Sequence, residues 1–416
     1  MATDVDVQYF SHLNGLTLDN NWGDLIRLLD KALVTGIDFT QITAASIDAQ
    51  GDVHITLYAA HNAMLFQVVE LTGFAPASFN QKYRIKGVPN TTQLILKPAL
   101  DIAERSITTT GTGKLASLGY DIIFRDTNDV KRVYRAKNPT AQHPFIRVDE
   151  TISDGVNSYN SAYAKSAMVG LIENMTHIDD YENPDVLQLP FDPPDPAKNW
   201  KITGTGASVV RGWSKWYWAS DRVFDTRETD SPPGGSRLFT LTGDADAFYL
   251  INLNRNDLNY KVVRGCGLFN SSLDNSNWFL CTLLNNNIAS SSVIYYNTTG
   301  GTPLVYNATS AKFFATPYSY FVGNHVEATP IAPNYDTGRL NSFSSTDVPA
   351  LEIPFYTSDG ALRGSLKHIF FAGKNLTSHT QTTVISSGGS MYILDSLGYG
   401  GSGNTAGVYF YLGELE

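Results

Sequence analysis

The stretch Asn21-Trp22-Gly23-Asp24-Leu25-Ile26-Arg27-Leu28-Leu29-Asp30-Lys31-Ala32-Leu33-Val34-Thr35-Gly36 carries a full set of helix signals. Asn21 is read as the N-cap, answered by Asp24 three residues on, which also faces the positive end of the helix. Leu25, Leu28, Leu29, Ala32 and Leu33 recur at helical spacing on one face, and Gly36 supplies a left-handed stop. Beyond Gly36 no segment repeats this pattern. Short runs of period two replace it, so the chain reads as mainly β, unlike enzymes whose strands alternate with helices.

Working outward, an extended piece, Val5 to Leu18, leads into the helix. After it come four strands: Val53–Tyr58, Leu65–Leu71, Gln81–Val88 and Gln93–Leu96. They predict a small barrel-like or sandwich module, followed by a Thr- and Gly-rich linker, Ser106 to Gly113. From Leu115 onward strands recur at regular spacing. Asp121–Arg125 and Val130–Arg135 flank the turn Asp126–Asp129 as a hairpin. Pro144–Asp149 adds a strand with one apolar and one polar face, and Arg211–Trp218 an aromatic one. Leu238–Leu241 and Ala247–Leu253 pair across Gly243–Asp246, and Val408–Leu412 closes the sheet.

The expected architecture is thus a large antiparallel, sandwich-like body with one N-terminal amphipathic helix and a small inserted module. Its predicted parts are 1–45, an arm and helix packing on the body; 46–112, the insert; and 113–416, the main β domain. The Pro-rich connection 183–199 divides that domain into two subdomains.

Composition narrows the function. A hydrophobic fraction of 42% with 12% aromatics supports a sizeable core and excludes a disordered chain. Charged residues make up 17%, below the roughly 25% usual in soluble domains, and a net charge of −10 argues against a nucleic-acid coat. Cys266 and Cys281 read as small buried hydrophobes. Neither a basic-then-apolar leader nor a run of about 18 apolar residues is present, which predicts folding in a reducing cytoplasm without membrane insertion.

No catalytic motif is complete. Thr110-Gly111-Thr112-Gly113-Lys114 lacks the first Gly and the final Ser or Thr of a phosphate loop, and Ser402 lies outside a nucleophile elbow. The acidic run His177 to Glu182, with Asp185, Asp192 and Asp195, matches no calcium loop and reads as a solvated connection. Asp244 and Asp246 read as turn formers. Two further groups could bind. Lys131, Arg132, Arg135, Lys137 and Arg147, interleaved with Tyr134 and Phe145, suit either an anionic partner or one polar hairpin face, and the second is preferred. Trp200, Trp213, Trp216, Tyr217 and Trp218 suit either a sugar platform or, as preferred, core and subunit anchors. No catalytic, cofactor or metal residue is assigned.

In order along the chain, several segments resemble one family. These are Tyr9-Phe10 with Asn21 to Gly36, Phe79 to Val88 with Thr91 to Leu94, Leu118-Gly119-Tyr120, Val133-Tyr134-Arg135, Gly265 to Phe269 with Asp274, and Gly360 to Leu366. Together they resemble virion structural proteins of tailed bacteriophages, with Gly265 to Phe269 similar to a Gly-rich loop before a strand. Cys266 departs from the larger residue expected there. The resemblance implies a non-enzymatic particle component of the tail or baseplate, made in the host bacterial cytoplasm. Its expected partners are copies of itself and other virion proteins, with no cofactor, small-molecule substrate or nucleic acid. Alternatives are a host-receptor or glycan-binding module, or a capsid or neck decoration protein.

Overall fold

The structure, a computed structural model, describes residues 3–221, 228–258, 260–272, 277–284, 300–305, 311–319, 322–332, 348–372, 382–398 and 405–415. Strands hold 45% of the residues and the front helix 12, which makes the protein mainly β. Asp24–Leu29 is α-helical, and Asp30–Thr35 continues it as a wider π turn. Leu25, Leu28, Leu29, Ala32 and Leu33 are all buried, as their spacing predicts.

The cap differs from expectation. Gly23, with φ 86°, holds the cap position and Asn21 makes no capping bond. Asp24 does answer Asn21 as expected, accepting from its backbone N–H (3.2 Å), and it also accepts from that of Asp19 (3.0 Å). The helix end is closed by a remote carboxylate, Glu150, which accepts from Gly23 N–H and from Ile26 N–H at 3.0 Å. At the other end Gly36 has φ 73° and ψ −168°, a stop with positive φ but outside the left-handed helical region. A Cβ there would lie 2.1 Å from the carbonyl oxygen of Leu115, so glycine is required by close approach.

Residues 37–115 build the forward sheet, antiparallel throughout. Its order is Ile37–Asp38, Thr112–Leu115, Val68–Thr72, Lys82–Asn90, Gln93–Pro98, Val53–Leu57 and Ile42–Ile47. The sheet is open at both edges. Within Val53–Leu57 the buried Val53, Ile55 and Leu57 alternate with half-buried His54 and Thr56, the period-two pattern of a strand covered on one side. The expected linker is corrected here: Thr112–Leu115 is a strand seated between Ile37–Asp38 and Val68–Thr72.

The middle sheet runs Leu283–Leu284, Ser214–Ala219, Lys165–Ile172, Phe145–Asp149, Lys131–Ala136 and Tyr120–Arg125, with Gln188–Leu189 added beside Lys165–Ile172. The helix lies against its Tyr120–Arg125 strand. Leu118 N–H donates to the Ala32 carbonyl at 3.0 Å. Helix, forward sheet and middle sheet share one hydrophobic core.

The large sheet has twelve strands among the described residues. Gln8–Ser11 edges it, and Phe239–Gly243, Ala247–Leu253, Lys261–Leu268, Trp278–Cys281, Phe313–Ala315, Val326–Pro330, Ala350–Thr357 and Leu362–Ala372 follow as a meander. Thr405–Glu414, Ser390–Gly398 and Thr383–Ser387 complete it. Gly265-Cys266-Gly267-Leu268, expected as a loop, lies inside the strand Lys261–Leu268. The sheet curls on itself. Tyr249 and Phe410, on strands far apart in its order, bring their rings within 5.8 Å, and Lys261 meets Asp395 at 2.7 Å.

Successive residues point to opposite faces of a strand. Phe248, Leu250, Cys266 and Leu280 therefore join the core shared with the helix, while Tyr249, Ile251, Phe279 and Cys281 fill a second core inside the curl. Both faces of these strands are buried.

Two buried polar side chains tie the N-terminal arm across the sheets. Gln8 donates to the carbonyls of Val68 and Ala116 (both 2.8 Å) and accepts from Val68 N–H (2.9 Å). Arg84, on the forward sheet, donates to the carbonyls of Asp4 (2.8 Å), Val7 (3.0 Å), Phe66 (2.7 Å) and Leu412 (2.8 Å).

Candidate functional site

Three features that lie apart in the sequence meet on the middle sheet: the basic run, the acidic run and one tryptophan. Arg147 occupies the centre of Phe145–Asp149 and is fully buried. It donates to Asp149 (2.9 Å), to Asp179 (2.7 Å) and to the Ile178 carbonyl (2.8 Å). Its guanidinium stacks 4.3 Å from the centre of the Trp200 ring and 4.9 Å from that of Tyr181. Lys131 also reaches Asp179, at 2.9 Å. The strand predicted to have one polar and one apolar face is therefore buried on both, its polar face filled by paired charges.

These contacts pin the 177–181 segment beside the hairpin turn 126–129 and leave a groove of about 820 Å³ between that turn and residues 200–203. Burial opposes ionisation of Asp179, but its bonds to Lys131 and Arg147 outweigh this and hold its carboxyl below the usual range. Burial raises the Tyr181 phenol, which stays neutral at physiological pH.

The other basic residues do not form an anion-binding face. Arg132 is buried and paired with Asp30 (3.2 Å) and Asp129. Arg135 lies 4.4 Å over Phe145, while Lys137 is exposed. Three further acids are likewise engaged, while Glu182 and Asp185 are exposed. Asp180 accepts from the N–H and hydroxyl of Thr176 (2.8 and 2.9 Å), Asp192 pairs with Lys198 at 2.6 Å, and Asp195 pairs with Lys201. No cluster of three or more His, Cys, Asp or Glu side chains suited to a metal ion occurs among the described residues.

The sugar-platform reading of Trp213, Trp216, Tyr217 and Trp218 is corrected. All four are buried, and the Trp216 indole donates to the Cys281 carbonyl at 3.0 Å, tying the middle sheet to the large one. Only Trp200 of that group lines the groove. Ser402 with the Gly-rich stretch 400–403 around it, and residues 333–347, lie outside the described residues.

A second constellation was not read from sequence. In the turn Gly243–Asp246, Asp246 pairs with His143 (2.8 Å) and with Lys367, and Asp244 pairs with His368 (2.9 Å). Asp244 also accepts from Asp246 N–H (2.8 Å) and Ala247 N–H (3.1 Å), the turn-forming role expected of it. Lys367 and His368 reach the turn because their strand bulges. Its register against Ala350–Thr357 slips between Glu352 and Pro354, and His368 adopts φ 62°. The hydrogen bond from His143 is the main reason the Asp246 carboxyl stays well below its usual range. A lysine and a histidine side by side in an apolar strand are the one local signal of this joint. It links the loop before Phe145–Asp149 to two strands of the large sheet.

Among the described residues no helix is long and apolar enough to cross a membrane. No family model matches the chain, and no curated protein matches it.

Proposed function

We propose that the protein is a non-enzymatic structural subunit of a tailed-bacteriophage particle, placed in the tail or baseplate and acting through contacts with copies of itself and other virion proteins. The observation that carries this reading is the use made of charged side chains. Arg84 joins residues 4, 7, 66 and 412, Lys261 meets Asp395 across the curl, and Lys367 meets Asp246 across the bulge. Charges of this kind, buried at Arg84 and Lys261–Asp395 and half-buried at Lys367–Asp246, cross-link distant segments into one body, a use suited to a component that carries load. The ordered resemblance of Asn21 to Gly36, Phe79 to Val88 and the later segments supports the same reading. Repetition of one modest contact around a symmetric ring gives a stable assembly without a large interface in any one pair.

Quantitative mass spectrometry of purified virions tests it. The chain is expected at a fixed copy number that matches a ring symmetry. Its absence from mature particles overturns the proposal. Labelling with a specific antibody, viewed by electron microscopy, then distinguishes tail or baseplate from neck and capsid surface.

A further inference from the structure

We propose that the side chains of Lys215 and Glu228 become joined by an amide bond, a covalent cross-link that the folded chain makes within itself. The inference goes beyond the particle role and is read on the isolated chain. Lys215 lies in the strand Ser214–Ala219, where it pairs with Met168 on one side and Leu283 on the other. Its Nζ is in direct contact with Glu228 Oε1, and both side chains are 1% exposed. Tyr217, two residues on and so on the same face of the strand, packs with Ala164 and Leu283. The Glu228 backbone is fixed in place. Its carbonyl accepts from Ala164 N–H at 3.1 Å and from the Tyr159 hydroxyl at 2.6 Å.

The pair differs from the other ion pairs of the interior in having no support. Apart from their contact with each other, neither Lys215 Nζ nor the carboxylate oxygens of Glu228 have a hydrogen-bond partner among the described residues. Two other pairs buried on both sides are supported. Asp395, which meets Lys261, also accepts from Ser396 N–H at 2.7 Å, and Asp149, which meets Arg147, accepts from Thr151 N–H at 2.8 Å. Charges taken out of water are stable only when further hydrogen bonds satisfy their remaining protons and lone pairs. Condensation removes that demand, because it exchanges a whole ammonium and a whole carboxylate for a single N–H and a single carbonyl.

Burial, with the Arg211 guanidinium acting in the same direction, pushes the Lys215 amine well below its usual range and favours the neutral nucleophile. Glu228 takes part as the carboxylic acid. The Nζ lone pair attacks Cδ, the Nζ–Cδ bond forms, and one Cδ–O bond breaks. The departing oxygen leaves as water, carrying the proton of the acid and one proton from Nζ. Nothing is oxidised or reduced, and no co-reactant is consumed. Holding the two groups in contact replaces a bimolecular encounter, and the absence of solvent at the pair disfavours the return hydrolysis.

The test is the mass of the purified full chain, folded and then denatured for measurement. It is expected to fall short of the sequence mass by one water, about 18 Da. Trypsin is expected to leave the bond after Lys215 uncut and to release residues 212–222 joined to residues 228–237 as one branched peptide, identified by tandem mass spectrometry. Lys215→Met, which keeps an unbranched apolar stem and removes the amine, is expected to show its full mass. A wild-type chain still at full mass after several days folded at neutral pH overturns the proposal. Loss of water that peptide mapping places elsewhere, such as a succinimide at Asp154-Gly155, overturns it too, as does a Lys215→Met chain that is equally light. Peptide mapping of the wild type decides the matter even where Lys215→Met fails to fold.

Discussion

The hydroxyl of Tyr134 donates to the carboxylate of Asp30 at 2.7 Å, joining the front helix to the middle sheet one strand in from its edge. Arg132 holds the same carboxylate from the neighbouring position at 3.2 Å. Asp30 opens the π turn, so the helix is fastened where its pitch changes. Tyr134→Phe removes one buried bond and leaves Arg132 in place, and is expected to lower stability by about 1 kcal/mol in urea unfolding. Leu28→Asp combined with Leu29→Asp places two carboxylates in the shared core and is expected to abolish folding of the body, seen as loss of the native elution volume. Lys31→Glu, on the exposed side, is expected to leave both measurements unchanged.

Glu150 gives the protein a pH-dependent element. Burial raises its carboxyl from the usual 4.5 to about 7, although the N–H groups of Gly23 and Ile26 pull the other way. The folded state therefore keeps a proton that the unfolded chain has released. Its contribution to stability is complete below pH 4.5 and is lost as pH rises through about 7. The full span is about 3 kcal/mol. Urea midpoints measured from pH 4.5 to 8 are expected to fall along this curve, and Glu150→Gln to flatten it. A variant that keeps the wild-type slope would assign the effect to other groups.

Cys266 and Cys281 belong to opposite faces of the large sheet, one in each core. In the register of their strands Cys266 faces Leu280 and Cys281 faces Gly265. Burial raises both thiols above their usual range. Under native conditions neither is expected to react with a thiol reagent or to form a disulfide in air. Both are expected to react once guanidinium unfolds the chain, which a colorimetric thiol count reads directly.

Arg84 carries four backbone carbonyls, and burial lowers its pKa to about 10. Arg84→Met fills much of the volume but leaves those oxygens without a donor. Bonds to charged groups contribute roughly 1.5–3 kcal/mol each, and their losses are not additive, so about 3 kcal/mol or more is expected. Limited proteolysis should release the N-terminal arm first, because Asp4 and Val7 lose their anchor.

Much of the strand pattern was legible because it is local. Val53–Leu57 shows period-two burial, while the hairpin from Tyr120 to Ala136 and the pair Phe239–Gly243 with Ala247–Leu253 are runs of strand-forming residues with turn residues between them. Where the reading missed, the deciding contact came from elsewhere in the chain. Glu150 caps the helix from 124 residues beyond Ile26, and no local pattern announces it. Gly265 to Leu268 looks like a loop because glycine is a poor strand former. Yet Gly267 takes φ 138° and brings its Cα so near the backbone of Asp246 that a Cβ would lie 2.2 Å from that carbonyl. The groove illustrates the same limit. Its basic, acidic and aromatic parts were each visible, but only the folding of residues 177–181 onto Arg147 and Lys131 brings them together.

The span of Arg84 also sets a timetable for synthesis. Its last partner, Leu412, is made 328 residues later, which at about 5–20 residues per second is roughly 16–66 s. Through that interval the nascent forward sheet presents a cation whose burial site is incomplete, while the strand Gln8–Ser11 waits for Phe239–Gly243. Completion of the Arg84 site and of the first strand's pairing therefore waits on segments made much later than either.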